Sequence, residues 1–383
     1  MGNIVKKILI TIIRMLPLRN DIILESHPDF SDNSLAFYEF LLSQGVNKRV
    51  KIHWGLHRPE EEFSDLPEGV DTFALKARGL GQQVKRLKIL YRSRYIVDSN
   101  SYIKKRRKGQ IRIHLGHGML IKITRGYHGY DQLGEVDGYL TMGANWKDVF
   151  TGKLGIPEDK LLPLGYPRDD IFQKKMEKDF GDYLVWLPTF RQHRDKASLN
   201  LKKTYPFGMP EVETEQELEA LERALEDRGL TLYFRPHPAQ DLSAIDLRRL
   251  PHIVLADDQW LREEKINLYQ VLAGAKGLIT DYSSVYFDFL ALQRPIALTC
   301  SDSQDYFATY GCAFDHFEEE VLGYRVEDFD HLLGFLDQVV SPERELMKKM
   351  KKMMECYQDY PQGGACQRLY DYMREHYDFD QGR

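Results

Sequence analysis

Several short segments, each just past an apolar run, carry residues that can hold a phosphate or move a proton. The strongest is Thr280-Asp281-Tyr282-Ser283-Ser284, between a buried strand and a helix. Free N–H groups and the positive end of the dipole at a helix start make an anion site. Ser283 and Ser284 add hydroxyl donors, and a diphosphate fits. Capping of the helix by Asp281 or Ser283 is compatible with that reading. Arg235-Pro236-His237-Pro238 follows another strand. Its Arg235 and His237 are suited to neutralising phosphate oxygens; the alternative is a histidine packed in a rigid turn. Thr189 and Arg191 of Pro188-Thr189-Phe190-Arg191 are further phosphate candidates, because a guanidinium presents its donors as a fixed fork. An interdomain salt bridge is the competing role for Arg191. Strand Ile111–Leu115 leads into Gly116-His117-Gly118, where the glycines permit close approach. His117 is a candidate general base, since imidazole titrates near neutral pH. Lys122, a few residues on, is spaced to hold an anionic acceptor. Arg168 of Gly165-Tyr166-Pro167-Arg168-Asp169 either reaches the substrate or pins a linker. His114, His128 and His193 read as structural or solvent-facing. The chain has no Walker loop, no Gly-x-Gly-x-x-Gly and no metal-ligand cluster.

These residues need strands to position them. Apolar runs at Ile22–Leu24, Val50–Trp54, Tyr95–Val97, Ile111–Leu115, Gly138–Thr141 and Leu161–Gly165 alternate with helical patterns, including Asn145–Leu154. The pattern restarts at Tyr183–Leu187. Helix Glu215–Arg228 follows, capped by Thr214, then strands at Leu230–Arg235 and Ile253–Leu255. Helix Leu268–Ala275, strand Gly277–Thr280, helix Ser284–Leu292 and strand Ile296–Leu298 complete it. Alternation of this kind predicts βα units and parallel sheets. The expected class is α/β, with two doubly wound, Rossmann-like domains facing a cleft. Ligands of such sheets bind past the carboxyl ends of the strands. The expected divisions are residues 1–20, 21–168 and 169–383, the last including helical residues 342–377 that can return to the first domain.

With 383 residues, two domains are the default. The four cysteines form no Cys-x-x-Cys pair, which fits a reducing cytoplasm. Net charge is −5, but it is unevenly spread. Residues 1–130 hold 23 Lys/Arg against 12 Asp/Glu, leaving the remainder near −16. Such asymmetry points to an anionic partner for the first part. No nucleic-acid motif is present, so an anionic membrane surface is favoured over nucleic acid. Ile4, Val5, Ile8, Leu9, Ile12, Ile13 and Leu16 recur at helical spacing with Lys6, Lys7 and Arg14 between them. The stretch is shorter than the roughly 20 residues that span a bilayer. It has no signal-peptide cleavage site. It reads as an interfacial amphipathic helix, or else as a helix packed on the first domain. Basic clusters at 85–88 and 104–108 favour the membrane.

Taken in order, the motifs resemble those of the CDP-glycerol glycerophosphotransferase family of teichoic acid primases and polymerases. The matching residues are His117-Gly118 with Lys122, Gly165-Tyr166-Pro167-Arg168 with Asp169 or Asp170, and Pro188-Thr189-Phe190-Arg191. They continue with His237-Pro238 and Asp281-Tyr282-Ser283-Ser284 with Asp288, then Arg294-Pro295 and Asp305-Tyr306. The resemblance implies a GT-B fold whose second domain holds CDP-glycerol and whose first receives the acceptor. It implies transfer of glycerol phosphate to a lipid-linked saccharide or glycerol-phosphate acceptor, with release of CMP, at the cytoplasmic face of a bacterial membrane. His117 would deprotonate the acceptor hydroxyl, near Gly118, Lys122 and Arg168. His237, Ser283 and Ser284 would hold the donor phosphates, helped by Thr189, Arg191 and Arg235, while Asp281 shapes the loop. No obligatory metal is expected, although Mg²⁺ is compatible. The family usually has Trp before the His-Gly and Pro shortly after. Gly116 and Met119-Leu120-Ile121 stand here instead, which predicts a different acceptor pocket. A CDP-ribitol or nucleotide-sugar transferase on the same fold, and a non-catalytic membrane scaffold, are the competing readings.

Overall fold

A strand covered on both faces must be apolar at successive positions, and Ile22-Ile23-Leu24 and Tyr183-Leu184-Val185-Trp186 are buried along their whole length. The structure is a computed structural model and describes residues 2–59, 65–123, 133–174, 178–189, 191, 205–236, 240, 242 and 249–381. The chain divides into two compact units. One comprises Met1–His117, His128–Asp170 and Gln362–Arg383; the other comprises Gly118–Tyr127 and Ile171–Pro361.

The first unit begins with α1 (Asn3–Met15), β1 (Arg19–Glu25), α2 (Asp32–Ser43), β2 (Ile52–Leu56), β3 (Val70–Ala74) and α3 (Leu80–Arg92). It continues with β4 (Ser93–Asp98), β5 (Ile111–His114), β6 (Gly138–Leu140) and β7 (Leu161–Leu162). The seven strands pair in the order β3-β2-β1-β4-β5-β6-β7, every pair parallel. This is the Rossmann order with one strand added, and it reverses between β1 and β4. Ile23, Phe73, Ile89, Leu90, Ile96 and Ile103 form a core between sheet and α3. The helical pattern expected over 145–154 appears only as a 3₁₀ turn, Ala144–Trp146, and a π-helical turn, Val149–Lys153. Gly152 and Gly155 disfavour a longer regular helix there.

The second unit contains β8 (Tyr183–Leu187), α4 (Glu215–Asp227), β9 (Thr231–Phe234), β10 (Ile253–Leu255), α5 (Asp258–Glu264) and α6 (Leu268–Gly274). Then follow β11 (Gly277–Thr280), α7 (Val285–Leu290), β12 (Ile296–Leu298), α8 (Ser303–Tyr310), α9 (Phe317–Glu320), β13 (Tyr324–Arg325), α10 (Phe329–Val340) and α11 (Arg344–Tyr357). The sheet order is β10-β9-β8-β11-β12-β13, again parallel and reversing between β8 and β11. α4 starts in a capping box, Thr214 Oγ1 accepting from the Glu217 N–H at 3.2 Å and the Glu217 carboxylate accepting from the Thr214 N–H at 2.9 Å. Leu221 and Leu225 of α4 pack with Trp186, Phe234, Ile279, Phe335 and Leu336.

The last helix, α12 (Ala365–Tyr377), belongs to the first unit. Asp170 accepts the N–H groups of Ala365 at 2.8 Å and Cys366 at 2.9 Å, satisfying two donors that a helix start leaves open. Tyr95 of β4 donates to the Tyr377 carbonyl at 2.8 Å at its other end.

Candidate active site

β5 ends at His114, and the chain turns through Gly116 (φ +66°) and Gly118 (φ +105°) on either side of His117. A side chain at either position would be strained, so the two glycines permit the turn that leaves the His117 side chain 51% exposed. Its Nδ1 lies 2.7 Å from Asp32 Oδ2. The other oxygen of Asp32 accepts from Arg168 at 2.6 Å. Burial opposes ionisation of Asp32, but the Arg168 charge and the His117 contact outweigh it and hold the carboxyl well below its ordinary range. An ionised carboxylate can only accept, so Nδ1 carries a hydrogen and, in the neutral ring, the lone pair falls on Nε2. That is the tautomer a general base requires.

The backbone reinforces this chain of contacts. Asp32, the first residue of α2, sits at φ +58°, a conformation aspartate tolerates better than most residues but which still costs energy. The next residue, Asn33, is buried; its Oδ1 accepts from the Arg168 N–H at 3.2 Å and its Nδ2 donates to the Gly116 carbonyl at 3.1 Å. Asn33 thus ties both partners of Asp32 together. Nε2 of His117 is met by the amide nitrogen of Asn100. The amide's orientation is set by its oxygen, which accepts from the His27 N–H at 2.7 Å.

In the second unit the loops after β8, β11 and β12 are knotted around Arg191. The Thr189 N–H donates to both oxygens of Asp281 at 3.0 Å. The Arg191 guanidinium bonds to Asp281, to Asp302 at 2.9 and 3.1 Å, and to the Thr189 carbonyl at 2.7 Å and hydroxyl at 3.0 Å. Tyr282 donates to Asp302 at 2.7 Å. The rings of Tyr205, Tyr282 and Tyr306 lie 5.2–5.8 Å from the guanidinium carbon. The arginine is 3% exposed in its side chain and Asp281 is fully buried.

This arrangement corrects the expectation for Arg191. Its donors are engaged inside the unit, so it positions the loop instead of presenting a fork to a ligand. Asp281 likewise shapes the loop from within, and Thr189 contributes its backbone to the same knot. Ser283 and Ser284 stand half-buried just before α7, and Ser284 makes no side-chain cap bond to that helix. Arg235 donates to the Ala256 carbonyl at 2.8 Å and to Asp258 at 2.6 Å, joining the end of β9 to α5. His237 lies outside the described residues, as do His128 and His193.

Two acceptor-side expectations also change. Arg168 is 5% exposed and holds Asp32, the carboxylate that contacts His117. Lys122 belongs to the second unit. It forms a β-bridge with Cys312, the Ala313 N–H donates to the Ile121 carbonyl at 2.8 Å, and its Nζ lies 3.3 Å from the Tyr306 hydroxyl. Burial pushes its amine down, against the pull of Asp281. Gly118 begins that same segment. His114 is buried against Asp98 at 3.1 Å. The sequence reading missed Asp32 and Asn100. Their available signal was position, since each closely follows a strand adjacent to or one removed from β5.

Comparison with known proteins bears on the family and the fold. The chain is 23% identical over 337 residues to the teichoic acid glycerol-phosphate primase of Bacillus subtilis (strain 168), covering 79% of each chain. It is 25% identical over 243 residues to the teichoic acid ribitol-phosphate primase of Bacillus spizizenii, a match spanning 58% of this chain and 55% of that protein. Its fold matches a structure of the wall teichoic acid polymerase TagF with a TM-score of 0.73 at 16% identity, covering 99% of this chain and 95% of that one. The fold is of the GT-B class, built from two Rossmann-like parallel-sheet domains. The family model for CDP-glycerol:poly(glycerophosphate) glycerophosphotransferases matches residues 8–375, and the chain belongs to that family of teichoic acid glycerol- and ribitol-phosphate primases and polymerases.

Proposed function

We propose that this protein transfers glycerol phosphate from CDP-glycerol to a hydroxyl of a lipid-linked or polymeric acceptor, releasing CMP, in the synthesis of teichoic acid or a related surface polymer. The observation that carries the reading is His117, oriented through Nδ1 by an ionised Asp32 that is itself held by Arg168. In the proposed step the acceptor hydroxyl gives its proton to His117 Nε2. Its oxygen bonds to the β-phosphorus of CDP-glycerol as the bond from that phosphorus to the bridging oxygen breaks. The electron pair leaves with CMP. Ser283, Ser284, Lys122 and His237 are assigned to the donor phosphates, with positioning and charge supplying most of the rate. The donor assignment draws on a TagF structure described as soaked with CDPG. CDP-ribitol is the second reading, because a ribitol-phosphate primase is among the relatives.

The test is CMP release from each CDP-alditol with and without acceptor, in the presence and absence of a chelator. Acceptor-dependent release from CDP-glycerol that survives chelation is the expected result. Release from CDP-ribitol alone would transfer the assignment to ribitol.

The same proposal places the enzyme peripherally on the cytoplasmic face of the membrane, through α1. Among the described residues no helix is long and apolar enough to cross a membrane. α1 packs on α3 and buries Ile13, while Ile4, Val5, Ile8, Ile12 and Met15 are exposed. At 100° per residue these five fall within one face. The basic segment adjoins it: Arg14 donates to the Arg106 carbonyl at 3.1 Å and Arg107 to the Leu16 carbonyl at 2.8 Å. An apolar face beside a basic loop suits an anionic lipid surface. The protein is expected to float with vesicles containing anionic lipid. The double variant Ile8→Asp/Ile12→Asp should lose at least a hundredfold in affinity, given about 1.5–3 kcal/mol for burying each isoleucine. Equal flotation of both proteins would remove α1 from the interface.

A further inference from the structure

A guanidinium cannot shed its charge, so arginines crowded together without a counter-ion cost energy until something anionic joins them. Four arginines gather where the ends of α1 and α3 meet the basic loop after β4. The guanidinium carbon of Arg14 lies 5.5 Å from the Tyr91 ring, and Arg107 donates to the Tyr91 carbonyl at 3.2 Å. Arg86 shares α3 with Tyr91, and its charge is felt by both that ring and Arg106. Among the described residues none of the four is in an ion pair. The nearby carboxylates of Glu135 and Asp137 are taken by Lys105, at 3.1 and 3.0 Å.

Two of the four have a structural task. Arg107 donates to the Leu16 carbonyl at 2.8 Å as well as to that of Tyr91, so it caps the carboxyl ends of both helices. Arg14 donates to the Arg106 carbonyl at 3.1 Å and fastens the loop to α1. The other two have none. Arg86 is half-buried, and its Nε is closed off from solvent without an acceptor. The Arg106 side chain is exposed and makes no hydrogen bond among the described residues. Burial and the Arg106 charge together push the Arg86 guanidinium below its ordinary range. Packing α3 requires neither charge, and the pair adds repulsion to the folded chain. An anion between them removes that repulsion and supplies the acceptor that Arg86 lacks.

We propose that Arg86 and Arg106 form a site for a phosphate ester, and that the ester is the headgroup of an anionic phospholipid. A phosphodiester spreads one charge over two free oxygens, each of which can take a guanidinium fork. The site adjoins the end of α1, where Ile12 and Met15 are exposed. Its lipid source therefore rests on the reading of α1 as an interfacial helix, whereas its preference for phosphate rests on the two arginines alone.

The test uses the full chain and vesicles of phosphatidylcholine with about one third phosphatidylglycerol. Arg86→Lys/Arg106→Lys keeps both charges and removes both forks, and should lower vesicle affinity about tenfold. Arg86→Gln/Arg106→Gln should lower it about thirtyfold, some fivefold for each charge removed beside an anionic surface. Without ligand the glutamine variant should melt at or above the wild-type temperature, because repulsion has been relieved. A soluble arm measures the rise in Tm that glycerol phosphate gives to wild type and to the lysine variant. Ile8→Asp/Ile12→Asp should lose vesicle binding yet keep the wild-type rise, so a failure of α1 and a failure of the phosphate site are told apart. Equal vesicle affinity of wild type and lysine variant, with a smaller rise in the variant, keeps the phosphate site and moves its source to a soluble ester. Equal affinity with an equal rise overturns the site.

Discussion

His117→Ala should lower acceptor-dependent CMP release about a thousandfold, within the 10²–10⁴ range typical of a positioned general base. CDP-glycerol binding should be retained, because the proposed role of His117 is proton transfer from the acceptor and not donor binding. Asp32→Asn separates positioning from chemistry. The imidazole remains, but the charge that orients Nδ1 and stabilises the protonated ring is gone. A loss of about a hundred- to a thousandfold in kcat with little change in donor KM is expected, since an Asp→Asn change beside a catalytic histidine imposes the wrong tautomer and costs up to about 10⁴-fold. Asp32 also leaves a mark on stability. Its carboxyl is held below the ordinary range in the folded chain, so its contribution is fully present above about pH 4, the unfolded value. The contribution is lost as pH falls through the lower folded value. Urea midpoints of wild type and Asp32→Asn should therefore differ most above pH 4 and converge in acid. Equal loss of turnover and CDP-glycerol binding in His117→Ala would refute the assigned role.

Arg191→Met should destabilise the second unit by about 3–5 kcal/mol, the usual result of removing one partner from a buried ion pair. Asp281 and Asp302 would be left buried without the cation that they share. In a domain of 150–250 residues each kcal/mol moves Tm by about 2–4 °C, so a fall of roughly 6–20 °C is expected in calorimetry. Arg191→Lys should lie between, since an ammonium keeps the charge but cannot bond Asp281, Asp302 and Thr189 together as the fork does. A donor-phosphate role predicts another pattern: an unchanged Tm with a raised KM for CDP-glycerol. These two variants thus separate a loop held from within from a ligand held directly.

Much of the architecture is legible along the chain, and the reason is local. Parallel strands covered on both faces leave near-continuous apolar runs, as at Ile22–Leu24 and Gly277–Thr280. Their carboxyl-end loops carry the Gly, Pro, Ser and His residues that mark the motifs. β3 and β13 escaped notice because one is an edge strand interrupted by Asp71 and Thr72, and the other is two residues long. The family, too, is readable from the ordered motifs, each confined to a few consecutive residues.

What tertiary structure alone decided is which of these loops meet. His117 and Asp32 are 85 residues apart, and nothing between them signals that they pair. They meet because β1 and β5 flank β4 in one sheet, bringing the start of α2 beside the turn after β5. The same ordering sets His57, His27 and Asn100 in a row towards His117. Arg191 looks like a phosphate ligand in a short motif, yet the parallel pairing of β8 with β11 places it against Asp281 and turns its charge inward. Lys122 stands near His117 in the chain, but its bridge to Cys312 fixes it in the other unit. Local sequence determined the strands, the turns and the kinds of reactive group. Strand order, a property of the whole sheet, determined which groups share a site, because parallel pairing joins residues without regard to their separation along the chain.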